Sequence, residues 1–442
     1  MRTFALMYTN KDQAAILAKL GIEQLNEMQL SAHQAIKEGP EVILLSPTGT
    51  GKTLAFLLPI IANLDPDKEG IQALILVPSR ELAIQIDQVA REMGSGYKIN
   101  AIYGGRSGYK DKSDLKHPPA ILIGTPGRIA DHLERENIST ASISILVLDE
   151  FDKSLETGFE QEMRAIIESI PSLDKRILTS ATQNVSIPDF VGLKDPKYLR
   201  FPAENEIQLS LKAIVADEVD ELGVLSRILN QVGTGRGIVF CNLRDAVQEV
   251  SVFLNRKKIP HTCFYGGMDQ LDREHALIKF RNGTHRILVA TDLAARGLDV
   301  PALDFIIHFQ IPYEEASFIH RNGRTARMNS KGTAYLILHK DKAVPSFAQA
   351  AEVIKLPDHG KPVPSEWATL YLLGGRKDKI SKADIAGLFF KQGGLQKQEL
   401  GLIELQQDCA YIAVPQSKAE QLVKDLNNQR LKKRKIRVSL LV

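Results

Sequence analysis

The chain has 442 residues, 44% hydrophobic and 25% charged, with a formal net charge of +3. That is an ordinary globular composition with room for about three domains. No apolar run approaches the ~18 residues of a membrane span, residues Met1 to Lys11 lack a signal-peptide core, and Cys241, Cys263 and Cys409 are too few and too scattered for a disulfide framework or a zinc site, so a reducing cytoplasm fits.

Residues 1–203 alternate short apolar runs with amphipathic stretches. Val42–Leu45, Ala73–Val77, Ala120–Ile123, Ile145–Leu148 and Arg176–Leu178 read as strands, and Glu81–Met93 and Gly127–Glu136 as helices. Near-continuous apolar strands between helices predict a doubly wound α/β domain with a parallel sheet. After the first strand comes Ser46-Pro-Thr-Gly-Thr-Gly-Lys-Thr53, then the apolar helical run from Leu54 to Leu58. Strand, glycine loop, Gly-Lys-Thr and helix form the context of a phosphate-binding loop. Backbone N–H groups through Thr48, Gly49, Thr50 and Gly51 can turn inward around an anion, with Lys52 reaching the β- and γ-phosphates and Thr53 ligating Mg²⁺. Ser46 stands where the strict pattern has Gly, so a chance Gly/Thr-rich turn is the competing reading. Asp149-Glu150-Phe151-Asp152 follows the strand at Ile145–Leu148. Acids at the carboxyl end of a parallel strand suit Mg²⁺ at Asp149 and activation of water by Glu150; alone, a solvated acidic turn is as good a reading.

Residues 204–356 repeat the phrasing, with strands at Lys212–Val215, Gly237–Cys241, Thr262–Tyr265, Arg286–Ala290, Phe305–Phe309 and Ala334–Leu338, and a hinge near Phe201–Ile207. A Pro/Gly linker, 357–366, leads to residues 367–442, where Thr369–Leu373, Lys382–Gln392, Gly401–Leu405, Tyr411–Val414, Gln416–Asn427 and Lys435–Leu441 spell βαββαβ. That is the ferredoxin-like plan shared by RNA-recognition motifs. Those last 76 residues hold 14 Lys+Arg against 7 Asp+Glu, while the rest of the chain is slightly acidic. A polyanion-binding appendage and a merely soluble basic domain both fit that asymmetry.

Further motifs recur in a fixed order: Pro78-Ser-Arg-Glu-Leu-Ala83, Gly104-Gly105, Thr125-Pro-Gly-Arg128, Ser180-Ala-Thr182, Gln270 and Arg273, Thr291-Asp292, Ala295-Arg-Gly-Leu-Asp299 and His320-Arg-Asn-Gly-Arg-Thr-Ala-Arg327. With the loop and the acids, they make residues 20–340 resemble the DEAD-box ATP-dependent RNA helicases, with Phe151 in the usual alanine position. The resemblance implies two tandem RecA-like domains with ATP and Mg²⁺ between them. It implies Lys52, Asp149 and Glu150 as catalytic groups, with Arg324 and Arg327 as arginine fingers. Ser46 becomes part of the ATP loop and Asp299 a ribose contact. Ser180, Thr182 and His320 would couple the nucleotide to Asp152 and to closure. Arg80, Gly105, Thr125, Arg128, Gln270, Arg273 and Thr291 would hold RNA by phosphates and sugar hydroxyls, without reading base sequence.

The adenine motif departs from the family. Gln29 has the expected spacing after Gly21, but Ile22 replaces a stacking aromatic and Leu25-Asn26-Glu27-Met28 replaces Pro-Thr-Pro-Ile. ATP use is expected, with adenine selectivity less firmly encoded.

The tail resembles the RNA-binding domain of DbpA-type helicases through Thr369–Lys379, Tyr411–Pro415 and Lys432–Arg437. Tyr371 stands at the slot of a stacking aromatic, whereas Cys409 and Val414 replace aromatics. Recognition is therefore expected from the basic residues Arg376, Lys377, Lys379, Lys432, Lys433, Arg434 and Lys435. The resemblance implies a large-subunit ribosomal RNA hairpin or pre-ribosomal particle as partner, a monomer, and a cytoplasmic site of action. Two rival expectations are an ATP-gated RNA clamp without unwinding and a DNA translocase with the same engine.

Overall fold

The computed structural model describes residues 12–441 except 48, 106–107, 157, 183–185, 202–208, 217–219, 293–302, 326–330, 341–342, 357–362, 364 and 433. The chain divides into two compact units, one up to residue 206 and the other from 207 onward.

In the first unit the strands are β1 Glu41–Leu45, β2 Ala73–Leu76, β3 Ile99–Ile102, β4 Ile121–Gly124, β5 Ile145–Leu148, β6 Lys175–Ser180 and β7 Lys197–Arg200. The helices are α1 Gln13–Leu20, α2 Glu27–Glu38, α3 Lys52–Asn63, α4 Arg80–Glu92, α5 Gly108–Leu115, α6 Pro126–Glu134, α7 Phe151–Glu156 and α8 Glu160–Glu168. All strand pairs are parallel, in the order β3-β4-β2-β5-β6-β1-β7. Strands β1 to β5 are buried at every position, because helices cover both faces of the sheet. The core therefore forms two layers, one on each side: Phe56, Leu57 and Ile86 lie in one, and Leu76, Phe151 and Met163 in the other.

The second unit repeats the plan with β8 Leu209–Ala216, β9 Gly237–Cys241, β10 Thr262–Phe264, β11 Ile287–Thr291, β12 Phe305–His308, β13 Gly332–His339 and β14 Glu352–Val353, ordered β10-β11-β9-β12-β13-β8-β14 and again parallel. Helices α9 Glu221–Gln231, α10 Arg244–Arg256, α11 Gln270–Arg281 and α12 Glu315–Asn322 accompany it.

The same unit carries an antiparallel sheet of β15 Trp367–Leu373, β16 Ile403–Leu405, β17 Cys409–Pro415 and β20 Arg437–Leu440, ordered β16-β17-β15-β20. Helix α13 Lys382–Lys391 follows β15, helix α14 Ala419–Leu426 follows β17, and the small hairpin β18 Arg430–Leu431 and β19 Arg434–Lys435 precedes β20. Counted within this sheet the order is 2-3-1-4, which is the expected βαββαβ topology. Alternation along β15 and β17 sends Leu370, Leu372, Ala410, Ile412 and Val414 to the core under α13 and α14. Thr369, Tyr371, Cys409 and Tyr411 point to the opposite face.

Candidate functional site

Strand order explains why the motifs meet. Adjacent strands β5, β6 and β1 end at Leu148, Ser180 and Leu45, so the acids, Ser180-Ala-Thr182 and the glycine loop emerge side by side. Adjacent strands β3, β4 and β2 likewise deliver Gly104-Gly105, Thr125 and Arg80. Ligands in open α/β sheets bind at such carboxyl ends.

Gly51, at φ 88°, turns the loop into α3, whose first residue is Lys52. The positive φ favours glycine, and a Cβ here would lie 2.4 Å from Gln29 Nε2 and displace that amide. Lys52 is buried and its Nζ donates to Ser46 O at 2.7 Å and Pro47 O at 3.0 Å. Ser46 Oγ and Thr50 Oγ1 share a 2.8 Å hydrogen bond, which ties Ser46 into the loop. Thr53 lies in the first turn of α3, and Thr48 lies outside the described residues. Gln29 is 8% exposed. Its Nε2 donates to Gly51 O at 3.2 Å, and its Oε1 accepts from Asn26 N at 3.1 Å in a capping box. Asn26 also donates to Thr50 O at 3.0 Å. The departed adenine motif thus still clasps the loop, through an asparagine to which the sequence reading gave no role.

Asp149 is buried beside Lys52, and burial pushes its carboxyl above the usual range despite a short hydrogen bond from Thr179 Oγ1. Thr179 also accepts from Glu150 N at 3.2 Å. It is the second residue to which the sequence assigns no role, since a threonine within a β-strand is unremarkable. Glu150 has φ 49°, a left-handed conformation that costs a non-glycine residue energy and is held by those hydrogen bonds. Phe151 begins α7 and is 1% exposed within the core layer behind the sheet, so its bulk is spent on packing. Thr182 Oγ1 reaches Asp152 Oδ2 at 3.1 Å and Ser180 Oγ at 2.9 Å, bringing three of the four candidate coupling residues into one hydrogen-bonded set. No cluster of three or more His, Cys, Asp or Glu side chains suited to a metal occurs among the described residues. A site of Asp149 and Thr53 fits Mg²⁺ only in the manner of an ion carried largely by phosphates and water.

Arg80, at the start of α4, packs its guanidinium against Gly104 and Gly105: a Cβ at Gly105 would lie 2.6 Å from Arg80 Nη1. Thr125 precedes α6, and Arg128 lies in its first turn, ion-paired to Asp111 and Asp131. The four RNA-contact candidates of this unit thus emerge from the adjacent ends of β2, β3 and β4.

In the second unit Thr291 closes β11, and Gln270 and Arg273 open α11. Gln270 Nε2 donates to Glu274 Oε1 at 3.1 Å, while Arg273 lies 4.5 Å over the Phe264 ring. Helix α12 carries His320 and is followed by Arg324, which is 6% exposed. The helix is pinned by Arg321, which is 1% exposed and pairs with both oxygens of Asp292 while donating to Gln310 O and Asn242 Oδ1 at 2.6 and 2.7 Å. His308 Nε2 donates to Asn322 Oδ1 at 3.0 Å, and burial drives its pKa down to about 3. Neither Arg321 nor His308 had a role in the sequence reading. Asp299 and Arg327 lie outside the described residues. Burial pushes the Cys241 thiol up to about 12.

Tyr371, the candidate at the stacking slot, is half-buried and faces α11. Its face of the sheet is covered by α11: Ile278 packs with Cys409 and Tyr411 in one apolar cluster, flanked by Tyr371. Tyr411 is 2% exposed and bonds His275 Nε2 at 3.1 Å, Arg281 pairs with Glu404 at 3.3 Å, and Asn282 and Thr284 bond Thr369 at 3.2 and 2.7 Å. The Tyr371 ring lies 5.6 Å from Tyr411, so its aromatic surface serves the packing. The basic loops remain outside this contact. Lys377 pairs with Asp408, Lys432 with Asp384 at 2.7 Å and Arg434 with Asp378. Arg376, Lys379 and Lys435 make no side-chain ion pair among the described residues, and Lys433 lies outside them.

Comparison with known proteins agrees with this geometry. The DEAD/DEAH box helicase family matches residues 26–190, the helicase conserved C-terminal domain 220–329, and the DbpA RNA-binding domain 369–440. ATP-dependent RNA helicase DbpA of Escherichia coli is 32% identical over 97% of each chain. Its namesake in Bacillus subtilis is 29% identical over 99% of each. The solved structure of S. cerevisiae Dbp5 bound to RNA and ADP BeF3 shares the fold, with a TM-score of 0.69 at 24% identity, covering 81% of this chain and 96% of that one.

Proposed function

The chain belongs to the DbpA-type DEAD-box ATP-dependent RNA helicases, and from that premise we propose that it remodels structured RNA locally, with large-subunit ribosomal RNA during ribosome assembly as its target. The observation that carries the engine is the hydrogen-bonded group at the ends of β5, β6 and β1: Lys52 beside Asp149, Glu150 held in position, and Thr182 joined to Asp152. Lys52 and the loop amides bind the phosphates, Glu150 orients and deprotonates the attacking water, and Arg324 with Arg327 neutralises charge on the transferring phosphoryl, an effect of ~10³–10⁵ in rate. Mg²⁺, held by Thr53 and by Asp149 through water, would supply further charge neutralisation at the phosphates. Because these residues belong to both units, hydrolysis requires the units to come together, and RNA bound by both favours that state. The protein works as a monomer in the cytoplasm.

Glu150→Gln should keep ATP and RNA binding and lose turnover by at least ~10²-fold; undiminished ATPase would sink the assignment. Crosslinking of that trapped variant to cellular RNA, followed by sequencing, tests the target. Enrichment of messenger RNA over ribosomal RNA would remove the assembly role while leaving the helicase in place.

A further inference from the structure

Arg128 occupies the first turn of α6, where the helix dipole disfavours a cation. Two carboxylates offset this. Its Nε and Nη2 both donate to Asp111 Oδ2, at 3.0 and 2.9 Å, and its Nη1 donates to Asp131 Oδ2 at 2.9 Å. Those contacts use three of the five guanidinium N–H groups and leave one on each terminal nitrogen, the fork that matches a phosphate. Asp111 is itself fixed. It comes from α5, is 0% exposed, and accepts from His132 Nε2 at 3.4 Å. Asn137 Nδ2 lies 3.2 Å from His132 Nδ1, which orients the ring with Nε2 toward Asp111. Arg135 Nε donates to the second oxygen of Asp131 at 2.7 Å. The formal charges of Arg128, Arg135, Asp111 and Asp131 cancel, so the cluster does not repel an approaching phosphate.

We propose that Asp111, backed by His132, is a positioning residue that aims the Arg128 guanidinium at the RNA backbone. The proposal rests on the reading of Arg128 as an RNA contact. Asp111 touches no RNA: it lies wholly buried behind the arginine. Its role is to remove the rotamer freedom that a long side chain would otherwise lose at the moment of binding.

Bulk electrostatics and positioning predict opposite signs. Deleting a carboxylate near a polyanion should tighten binding, whereas releasing Arg128 should weaken it. The experiment measures RNA-stimulated ATPase of the full chain against oligo-uridylate. Asp111→Asn is expected to raise the KM for RNA about tenfold, with kcat at saturating RNA within about twofold. Arg128→Ala should raise KM as much and flatten the log–log salt dependence of binding by ~0.7. The double variant should be no worse than Arg128→Ala alone, because both remove one interaction. An unchanged or lower KM in Asp111→Asn, or additive losses in the double variant, overturns the positioning role. An unchanged KM in Arg128→Ala overturns the reading of Arg128 as an RNA contact, and the two failures are thereby distinguished. Should Asp111→Asn fail to fold, His132→Gln takes its place: a KM rise of about threefold is expected, and no rise overturns the proposal.

Discussion

Glu150 shows what one residue gives up to its task. Its φ of 49° is a conformation that glycine adopts freely and a glutamate does not. Glu150→Gly is therefore expected to raise the thermal stability of the first unit, by up to about 1 kcal/mol, while abolishing ATP turnover; a lower melting temperature would refute the strain. Thr179→Val keeps the shape and deletes the hydroxyl that supports Asp149 and Glu150. ATP turnover in that variant should fall about tenfold or more, with melting little changed. His308 gives a pH test. Its folded pKa, about 3, lies below the ordinary 6.5, so the folded state resists protonation. Its contribution is intact above pH 6.5 and is lost as pH falls toward 3, by about 2 kcal/mol between pH 6.5 and 5. Amide exchange along β12 should accelerate over that interval, and His308→Gln should flatten the response. At this scale the sequence was readable where a motif fixes a spacing, as from Ser46 to Thr53. It was silent about Thr179, His308 and Asp111, whose significance lies in what stands opposite them across other strands and helices.

At the scale of elements, continuous apolar runs announced the central strands, because only a sheet covered on both faces can bury such runs. Of the edge strands in the parallel sheets, β10 was visible and β3, β7 and β14 were not. Lys-Tyr-Leu-Arg in β7 is mostly exposed and reads as surface, and Glu352–Val353 is too short to carry a pattern. Helix α12 depends on a buried cation. Arg321→Ala would strand Asp292 and Asn242 without their partner, at a cost of about 3–5 kcal/mol. The expected outcome is loss of RNA-stimulated ATPase through displacement of the neighbouring Arg324, with ATP still crosslinking to the first unit. Helix α11 carries the candidate RNA contacts Gln270 and Arg273 at its start and packs Ile278 and Asn282 against the antiparallel sheet at its end. Period 2 along β15 placed Tyr371 on the face away from the sheet's own helices, but no local pattern says what covers that face. That is why the sequence places Tyr371 at a stacking slot but does not show that α11 packs against its face.

For the whole molecule, the two parallel sheets and the βαββαβ order were legible, since each follows from the order of apolar runs. The contact between the appended sheet and α11 was not, because it pairs residues more than 80 positions apart through mixed polar and apolar groups. It also changes how the tail should be tested. Deleting 367–442 would expose Ile278, now 1% exposed, and the polar residues around it, so the truncated chain should aggregate more readily than the full one. Charge removal at Arg376, Lys379 and Lys435 is the cleaner experiment. Preference for structured over unstructured RNA should vanish with the melting profile unchanged, and persistence of the preference would move specificity elsewhere.

The docked sheet face has one more consequence, for the history and engineering of such chains. Attachment uses Thr369, Glu404, Cys409 and Tyr411, whereas the exposed basic positions lie in the turn at 376–379 and the hairpin at 430–435. The residues of the joint and the candidate RNA-contact residues are thus separate sets. If those loops set the RNA target, mutation can rewrite them without loosening the joint, and replacing two short segments is expected to redirect the chain to a new transcript while leaving its melting profile unchanged.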